Sequence, residues 1–190
     1  MTMRATRVYP DDPAGPFPSP PTRFTDGEGR TIEVRPLEED DERQVDALVE
    51  MYDGFDPADR AQGIPPTGED RIRDWLEPIF AGGVNVVALE DGTVAGHATL
   101  VPDADDPDAI DDYGDVEWEL AIFVHQRYQQ AGIGTQLLEH LLGYASERGI
   151  EHVWLTVERW NGPAITLYEN VGFELCGSES FEQEMAIRLG

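Results

Sequence analysis

Residues 116–173 read VEWELAIFVHQRYQQAGIGTQLLEHLLGYASERGIEHVWLTVERWNGPAITLYENVGF, and this stretch decides the fold. The apolar run from Leu120 to Val124 predicts a strand, and the leucines at helical spacing after Gly134 predict a helix. Between them, Gly132 and Gly134 leave bare backbone at the helix start. Such a helix start binds anions, because its first N–H groups lack partners and the helix dipole adds partial positive charge. The turn at residues 129–135 is therefore predicted to bind an anion.

The periodicity of apolar residues on either side extends this unit into an α/β domain, with a mixed sheet and helices on both faces. The predicted strands are 31–35, 84–89, 94–101, 116–124, 152–157, 173–176 and 181–189. The predicted helices are 45–55, 72–80, 132–148 and 161–170. No internal repeat or second domain is evident in the sequence, so one domain is expected over residues 31–190.

Residues 1–30 form a proline-rich segment, with six prolines between Pro10 and Pro21. Proline lacks an N–H donor and has a fixed φ, so this segment is expected to be neither a helix nor a central strand. It is predicted to be an extended arm that either lies on the domain or is loose in solvent.

The chain is strongly acidic, with 39 Asp and Glu residues against 13 basic residues, all of them Arg, and a net charge of -26. Such a charge argues against nucleic acid or an anionic membrane as a partner. A solvated surface adapted to high salt is the preferred interpretation, since at about 1 M salt the Debye length is only about 3 Å. The composition resembles that of proteins from extreme halophiles.

The sequence also predicts where the protein is located and whether it binds a metal. No apolar run approaches the roughly 20 residues of a membrane span. No apolar segment follows Arg4 and Arg7, as a secretory signal would require, so the cytoplasm is the expected location. Cys176 is the one cysteine, and the four histidines show no ligand spacing, so no metal site is expected.

Several kinds of phosphate-binding turn compete for the glycine pattern. A Rossmann turn needs a third glycine at position 137, which is Leu137. A Walker loop needs a Lys, and this chain has none. What remains is the pattern Gln-x-x-Gly-x-Gly from Gln129 to Gly134.

Two motifs in this stretch resemble those of the GNAT superfamily of N-acyltransferases. The first is VHQRYQQAGIG at 124–134, which is similar to the acyl-CoA signature of that superfamily. The second is NGPAITLYENVGF at 161–173, which resembles its Asn-x-x-Ala-x-x-Leu-Tyr-x-x-x-Gly-Phe motif. The two together are far more specific than either alone. The resemblance implies a GNAT-like fold with a mostly antiparallel central sheet.

The resemblance also implies an N-acetyltransferase, which moves an acetyl group from acetyl-CoA to a primary amine by direct attack in a ternary complex. The amine stays open among a protein lysine, a protein N-terminus and a small amine. Residues 51–60 resemble a loop that protein lysine acetyltransferases place beside the active site, which favours a protein or peptide amine. A homodimer paired through the last strands is an expectation by analogy. A catalytically silent acyl-CoA-binding sensor or interaction module is the alternative function, and a plain nucleotide binder is a third.

A set of coenzyme-binding residues follows from the same resemblance. Backbone N–H groups of the turn would wrap the pyrophosphate, and the end of the preceding strand would pair with the pantetheine arm like an added strand. The implied residues are Ile122, Phe123, Val124, Gln129, Gln130, Ala131, Gly132, Ile133, Gly134, Thr135, Asn161, Ala164 and Tyr168. Family members commonly carry Arg and Gly at the positions of Gln130 and Ala131, so affinity is expected to depend mostly on backbone dipoles.

The chemistry requires a group that takes the amine's proton and a group that protonates the departing thiolate. Glu117 and Glu119 alternate onto one side of a predicted strand, and either could act as the base. Glu119 ranks first because it matches an acidic position of protein-acetylating members, although a plain acidic strand face is the competing interpretation. Tyr168 is implied as the general acid, against the alternative of an aromatic at the core edge packed on Phe173.

Overall fold

Eight strands form a single sheet in the computed structural model, which describes residues 7–60 and 64–190. The strands are β1 (Thr22–Thr25), β2 (Thr31–Pro36), β3 (Val84–Glu90), β4 (Thr93–Pro102), β5 (Glu117–Val124), β6 (His152–Glu158), β7 (Glu174–Ser178) and β8 (Glu182–Arg188). Their order across the sheet is β1-β2-β3-β4-β5-β6-β8-β7. The helices are α1 (Glu42–Asp53), α2 (Glu69–Gly82), α3 (Ile133–Ser146) and α4 (Gly162–Val171).

Strand β5 lies at the place where the sheet opens. It pairs with β4 in antiparallel fashion over residues 118–124. Its pairing with β6 is parallel and extends only from Glu117 to Glu119. Because β5 and β6 then diverge, residues 120–124 keep one edge without a strand partner in the described part of the chain. An open edge of this kind can accept hydrogen bonds from, and donate them to, an extended ligand.

Helices cover both faces of the sheet and close two apolar cores. On one face, α3 buries Leu137, Leu138, Leu141 and Leu142 completely, and α4 adds Tyr168. Each fully buried leucine contributes about 1.5–3 kcal/mol relative to an exposed one. On the other face, α1 and α2 pack around Tyr52. The cores fix α3 and α4 beside the opening between β5 and β6.

The mixed α/β fold with a mostly antiparallel sheet and helices on both faces is confirmed. One element was missed, since β1 precedes the strand predicted to be first, which is β2. Strand β1 is a half-exposed edge strand without an apolar alternation, and its register on β2 pairs Phe24 with Ile32. Long-range pairing stabilises this strand, and no local pattern marks it.

The proline-rich arm lies on the domain over its described part. Ala14 forms a parallel bridge with Leu189, and the Ser19 hydroxyl donates to Glu147 at 2.6 Å. Residues 1–6 of the arm, and residues 61–63 between the first two predicted helices, lie outside the described residues. None of the helices in the described ranges has the length and apolar character to cross a membrane.

Candidate active site

A groove of about 460 Å³ lies where β5 and β6 diverge, and we call it the β5 groove. Its walls come from the end of β5, the glycine turn, the start of α4 and the segment after α1. The lining residues are Phe55, Ala58, Asp59, Arg60, Ile122, Phe123, Val124, Tyr128, Gln129, Gln130, Gly134, Glu158, Asn161, Pro163, Ala164 and Leu167. Eight of the thirteen residues predicted to bind the coenzyme are among them. Sequence motifs that lie some 30 residues apart therefore meet in one groove.

The glycine turn presents an open helix N-terminus at this groove. Gly132 is the N-cap of α3 and has φ +88°, a left-handed conformation that residues with a side chain rarely adopt. No side chain in the described ranges caps the helix, so the N–H groups of its first turn are available for an anion. Ala131, Gly132, Ile133 and Thr135 belong to this turn and helix start, but they do not line the groove.

The turn is braced from behind by residues that the sequence prediction assigned to the arm. Gly27 N–H donates to the Ala131 carbonyl at 2.9 Å. The Arg30 guanidinium donates to the Arg127 carbonyl at 2.9 Å and lies 4.5 Å over the Tyr128 ring. The hairpin between β1 and β2 therefore holds the position of the turn.

Asn161 begins α4 at the opposite wall of the groove. Its Oδ1 accepts a hydrogen bond from the Ala164 N–H at 3.3 Å, as an N-cap side chain does. The cap uses only the carbonyl oxygen, so the amide nitrogen can still donate to a ligand. Asn161 can therefore cap α4 and donate a hydrogen bond to a ligand at the same time.

Tyr168 is buried in α4, with 9% of its surface exposed, and it does not line the β5 groove. Its ring packs edge-on against Phe173 at 5.7 Å between centroids. Burial raises the pKa of the Tyr168 hydroxyl to about 12, so it carries its proton at neutral pH. No hydrogen-bond partner of this hydroxyl is found among residues 7–60 and 64–190.

A second cavity, of about 570 Å³, contains Glu119, and we call it the acidic pocket. Its lining residues are Arg7, Val101, Pro102, Asp103, Glu119, Trp154, Gly177, Ser178, Glu179 and Glu184. Glu119 lies in register with Val101 on β4 and with Trp154 on β6. The pocket walls remove part of its water, which raises the pKa of Glu119. Asp103 and Glu184 act in the same direction, while Arg7 opposes them.

Glu117 is held by the arm. Its carboxylate accepts a hydrogen bond from the Tyr9 hydroxyl at 2.7 Å and another from Arg7 Nη1 at 3.1 Å. Burial and the hydrogen bond to Glu117 raise the pKa of Tyr9. Glu117 and Glu119 thus point to the same side of β5, as expected, but they have different surroundings.

Sequence reasoning missed several residues of the two cavities. Arg7 and Tyr9 reach the region from more than 100 positions away, and Trp154 lines the acidic pocket from β6. Arg60 lines the β5 groove while its guanidinium donates to backbone carbonyls, including that of Tyr52 at 3.0 Å. No local pattern identifies these residues, because the fold alone brings them to the site. No cluster of three or more His, Cys, Asp or Glu that could hold a metal was found within the described ranges.

Comparison with known proteins identifies the family of the chain. Residues 46–173 match the acetyltransferase (GNAT) family. Phosphinothricin N-acetyltransferase from Streptomyces viridochromogenes is 30% identical over 153 residues, which are 80% of this chain and 79% of that enzyme.

Two further relatives match over short segments. Streptothricin acetyltransferase from Streptomyces lavendulae is 47% identical over 49 residues, which are 26% of each chain. The ribosomal protein bS18-alanine N-acetyltransferase of Escherichia coli is 46% identical over 52 residues, which are 27% of this chain and 35% of that enzyme. The chain therefore covers only about a quarter to a third of these two relatives.

Solved structures show the same fold. The GNAT domain of S. lividans PAT superposes with a TM-score of 0.70 at 22% identity, over 89% of this chain and 97% of that domain. A putative acetyltransferase from Salmonella typhimurium, solved with its cofactor acetyl-CoA, gives a TM-score of 0.62 at 19% identity, over 84% of this chain and 94% of that one.

Proposed function

The chain belongs to the acetyltransferase (GNAT) family, and we propose that it transfers an acetyl group from acetyl-CoA to a primary amine by direct attack in a ternary complex. The observation that carries this proposal is the β5 groove, where a strand edge lies beside a helix N-terminus and neither has a partner among the described residues. An extended amide chain that ends in a pyrophosphate has the chemistry to fill both parts. The amide-containing pantetheine arm would pair with the edge of β5, and the pyrophosphate would accept from the first N–H groups of α3.

In the proposed reaction, the amine nitrogen attacks the thioester carbonyl, so a C–N bond forms and the C–S bond breaks. Glu119 takes the proton that the amine loses, and the rise in its pKa makes it a stronger base than an exposed glutamate. Tyr168 donates its hydroxyl proton to the departing sulfur. Both groups then return to their starting protonation states by exchange with solvent. Glu117 is assigned to holding the arm, because its carboxylate is already engaged by Arg7 and Tyr9.

Calorimetry with acetyl-CoA tests the donor assignment, and release of free thiol in the presence of amines tests the transfer. Both measurements should be made in dilute and in concentrated KCl, because the acidic composition leads us to expect activity at high salt. Absence of acetyl-CoA binding at every salt concentration would end the proposal. Binding of acetyl-CoA with no free thiol released in the presence of any amine would point instead to a catalytically silent acyl-CoA sensor.

Gly134→Ala separates coenzyme binding from folding. A Cβ at this position would meet Leu167 at 3.6 Å and Val124 at 3.8 Å, which are ordinary contacts, so the fold accommodates it. Alanine in place of a helical glycine stabilises by about 0.5–1 kcal/mol. The methyl group would nevertheless stand at the wall of the β5 groove, between the helix start and the pyrophosphate. Loss of one charge-assisted hydrogen bond, about 1.5–3 kcal/mol, predicts acetyl-CoA binding about 10- to 100-fold weaker by calorimetry.

The matched control for that variant is Gly162→Ala. Gly162 lies at the first position of α4, does not line the groove, and has open space around an added Cβ. We expect a similar melting temperature and unchanged acetyl-CoA affinity. Unchanged affinity in Gly134→Ala as well would show that the pyrophosphate does not lie against this turn.

A further inference from the structure

The described residues that line the acidic pocket carry more negative than positive charge. Four of its lining residues are carboxylates, namely Asp103, Glu119, Glu179 and Glu184, and Arg7 is the one cation that lines it among the described residues. The pocket also has an aromatic wall, the indole of Trp154. A carboxylate-rich cavity with an aromatic face is suited to a cation, through ion pairs and cation–π attraction. An anionic ligand would meet like charge on most of its sides.

The arm already places a cation in this pocket. The Arg7 guanidinium lies 3.4 Å from the centroid of the Trp154 ring, and its nitrogens are 3.1 Å from Glu117 and 3.4 Å from Glu184. Asp103 is at 3.9 Å. Only 16% of the Arg7 side chain is exposed. The contacts of Arg7 therefore show that the walls of the acidic pocket can bind a cationic group.

Two buried donors of this arrangement are left without partners. Trp154 is 8% exposed, and no hydrogen bond of its indole Nε1 is found in the described part of the chain. The Nε of Arg7 is also buried and unsatisfied among the described residues. Because a buried donor without a partner costs free energy, the arm is an imperfect occupant of the pocket. A ligand that lets the arm withdraw from Trp154 would expose the Arg7 Nε to water and so relieve its share of that cost.

We propose that the acetyl acceptor is a linear aliphatic diamine or polyamine, whose second cationic group takes the place of Arg7 against Trp154 and Glu184. This inference rests on the proposed function, since it puts the reacting amine at Glu119 in the same pocket. A cavity of about 570 Å³ has the size of a small-molecule site. Arg7 is then an internal competitor, which the acceptor displaces while Tyr9 keeps the arm attached at Glu117.

Three amines of matched length test the charge preference. Cadaverine ends in a second ammonium, pentylamine in a methyl group and ω-aminovalerate in a carboxylate. We expect calorimetry to give cadaverine an affinity about tenfold higher than that of pentylamine, since a desolvated cation–π contact with ion pairs is worth roughly one factor of ten or more. Aminovalerate should bind most weakly. Equal affinities for cadaverine and pentylamine, or a preference for aminovalerate, would overturn the inference.

Variants identify the place of the second cation. Arg7→Gln removes the internal competitor, and we expect it to raise the affinity for cadaverine several-fold while pentylamine changes less. Arg23→Gln removes the same charge from an exposed residue that pairs with Glu33 on β2, and it should change neither amine. If Arg7→Gln lost cadaverine binding while aminovalerate binding stayed the same, the displacement of Arg7 by the acceptor would be contradicted.

Glu184→Gln supplies an independent test if Arg7→Gln proves poorly folded by circular dichroism. It should weaken cadaverine without weakening pentylamine or acetyl-CoA, because only the second cation contacts Glu184. Equal weakening of both amines would overturn the assignment of the second cation to Glu184.

Release of free thiol from acetyl-CoA distinguishes a failure of this inference from a failure of the proposed function. If acetyl-CoA binds but releases no free thiol with cadaverine, the diamine is not the acceptor and the inference fails, whereas thiol release with an amine of another class would leave the proposed transfer standing.

Discussion

Replacing Tyr168 with Phe is expected to lower kcat by about 100-fold or more, the usual contribution of a general acid. The thiolate of coenzyme A leaves with a negative charge, and the Tyr168 hydroxyl is assigned to neutralise it. Burial raises the pKa of this hydroxyl to about 12, so it is protonated throughout the working pH range. The affinity for acetyl-CoA should change little, because the hydroxyl acts on a charge that develops only during the reaction. Steady-state kinetics and calorimetry measure the two quantities separately.

The substitution Tyr168→Phe is expected to preserve the packing of the ring. The Tyr168 hydroxyl has no hydrogen-bond partner in the described ranges, and the ring contact with Phe173 is retained by phenylalanine. We therefore expect a melting temperature close to that of the unaltered protein. Tyr144→Phe is the control, because Tyr144 lies on α3 and its hydroxyl contacts Arg148 away from both cavities. A kcat for Tyr168→Phe equal to that of the control would remove the assigned role.

The fold was largely predictable because its determinants are local. The leucines of α3 repeat at helical spacing, and the Asp91-Gly92 hairpin joins β3 to β4, so a short window of sequence contains each signal. Strand β1 has no such signal and exists because β2 offers it an edge. The same distinction separates the parts of the candidate site. The glycine turn and Asn161 could be predicted from motifs.

The acidic pocket could not be predicted in the same way. Arg7 contacts Glu117 across 110 positions, and Trp154 joins them only because β6 pairs with β5 for three residues. No spacing rule connects an arm residue to a strand residue at that separation. Glu117 and Glu119 look equivalent in the sequence, since both alternate onto one face of a strand. The arm distinguishes them by occupying Glu117 and leaving Glu119 in the cavity.

Glu119→Gln is expected to lower kcat/KM by about 100-fold at neutral pH, where an amine acceptor is almost entirely protonated and needs a base. The loss should shrink as the pH approaches the amine's own pKa, near 10 for a lysine-like amine, because the nucleophile is then already neutral. In the unaltered enzyme kcat/KM should rise with pH as Glu119 loses its proton. Since partial desolvation raises the pKa of Glu119, this rise should be centred above the usual range of a glutamate. The pH profiles of both proteins measure these effects.

Two control variants decide whether the loss in Glu119→Gln belongs to proton transfer. Glu174→Gln removes a carboxylate from an exposed position on β7, and its profile should overlay that of the unaltered enzyme. Glu117→Gln weakens the attachment of the arm and should lower kcat/KM far less than Glu119→Gln, with the acid limb retained. If Glu119→Gln keeps the acid limb of the pH profile, or if Glu117→Gln loses it, the base is a group other than Glu119.

Arg7 lowers the pKa of Glu119, so Arg7→Gln should move the acid limb of the pH profile to higher pH. That shift would show that the group bound in the acidic pocket affects proton transfer at Glu119.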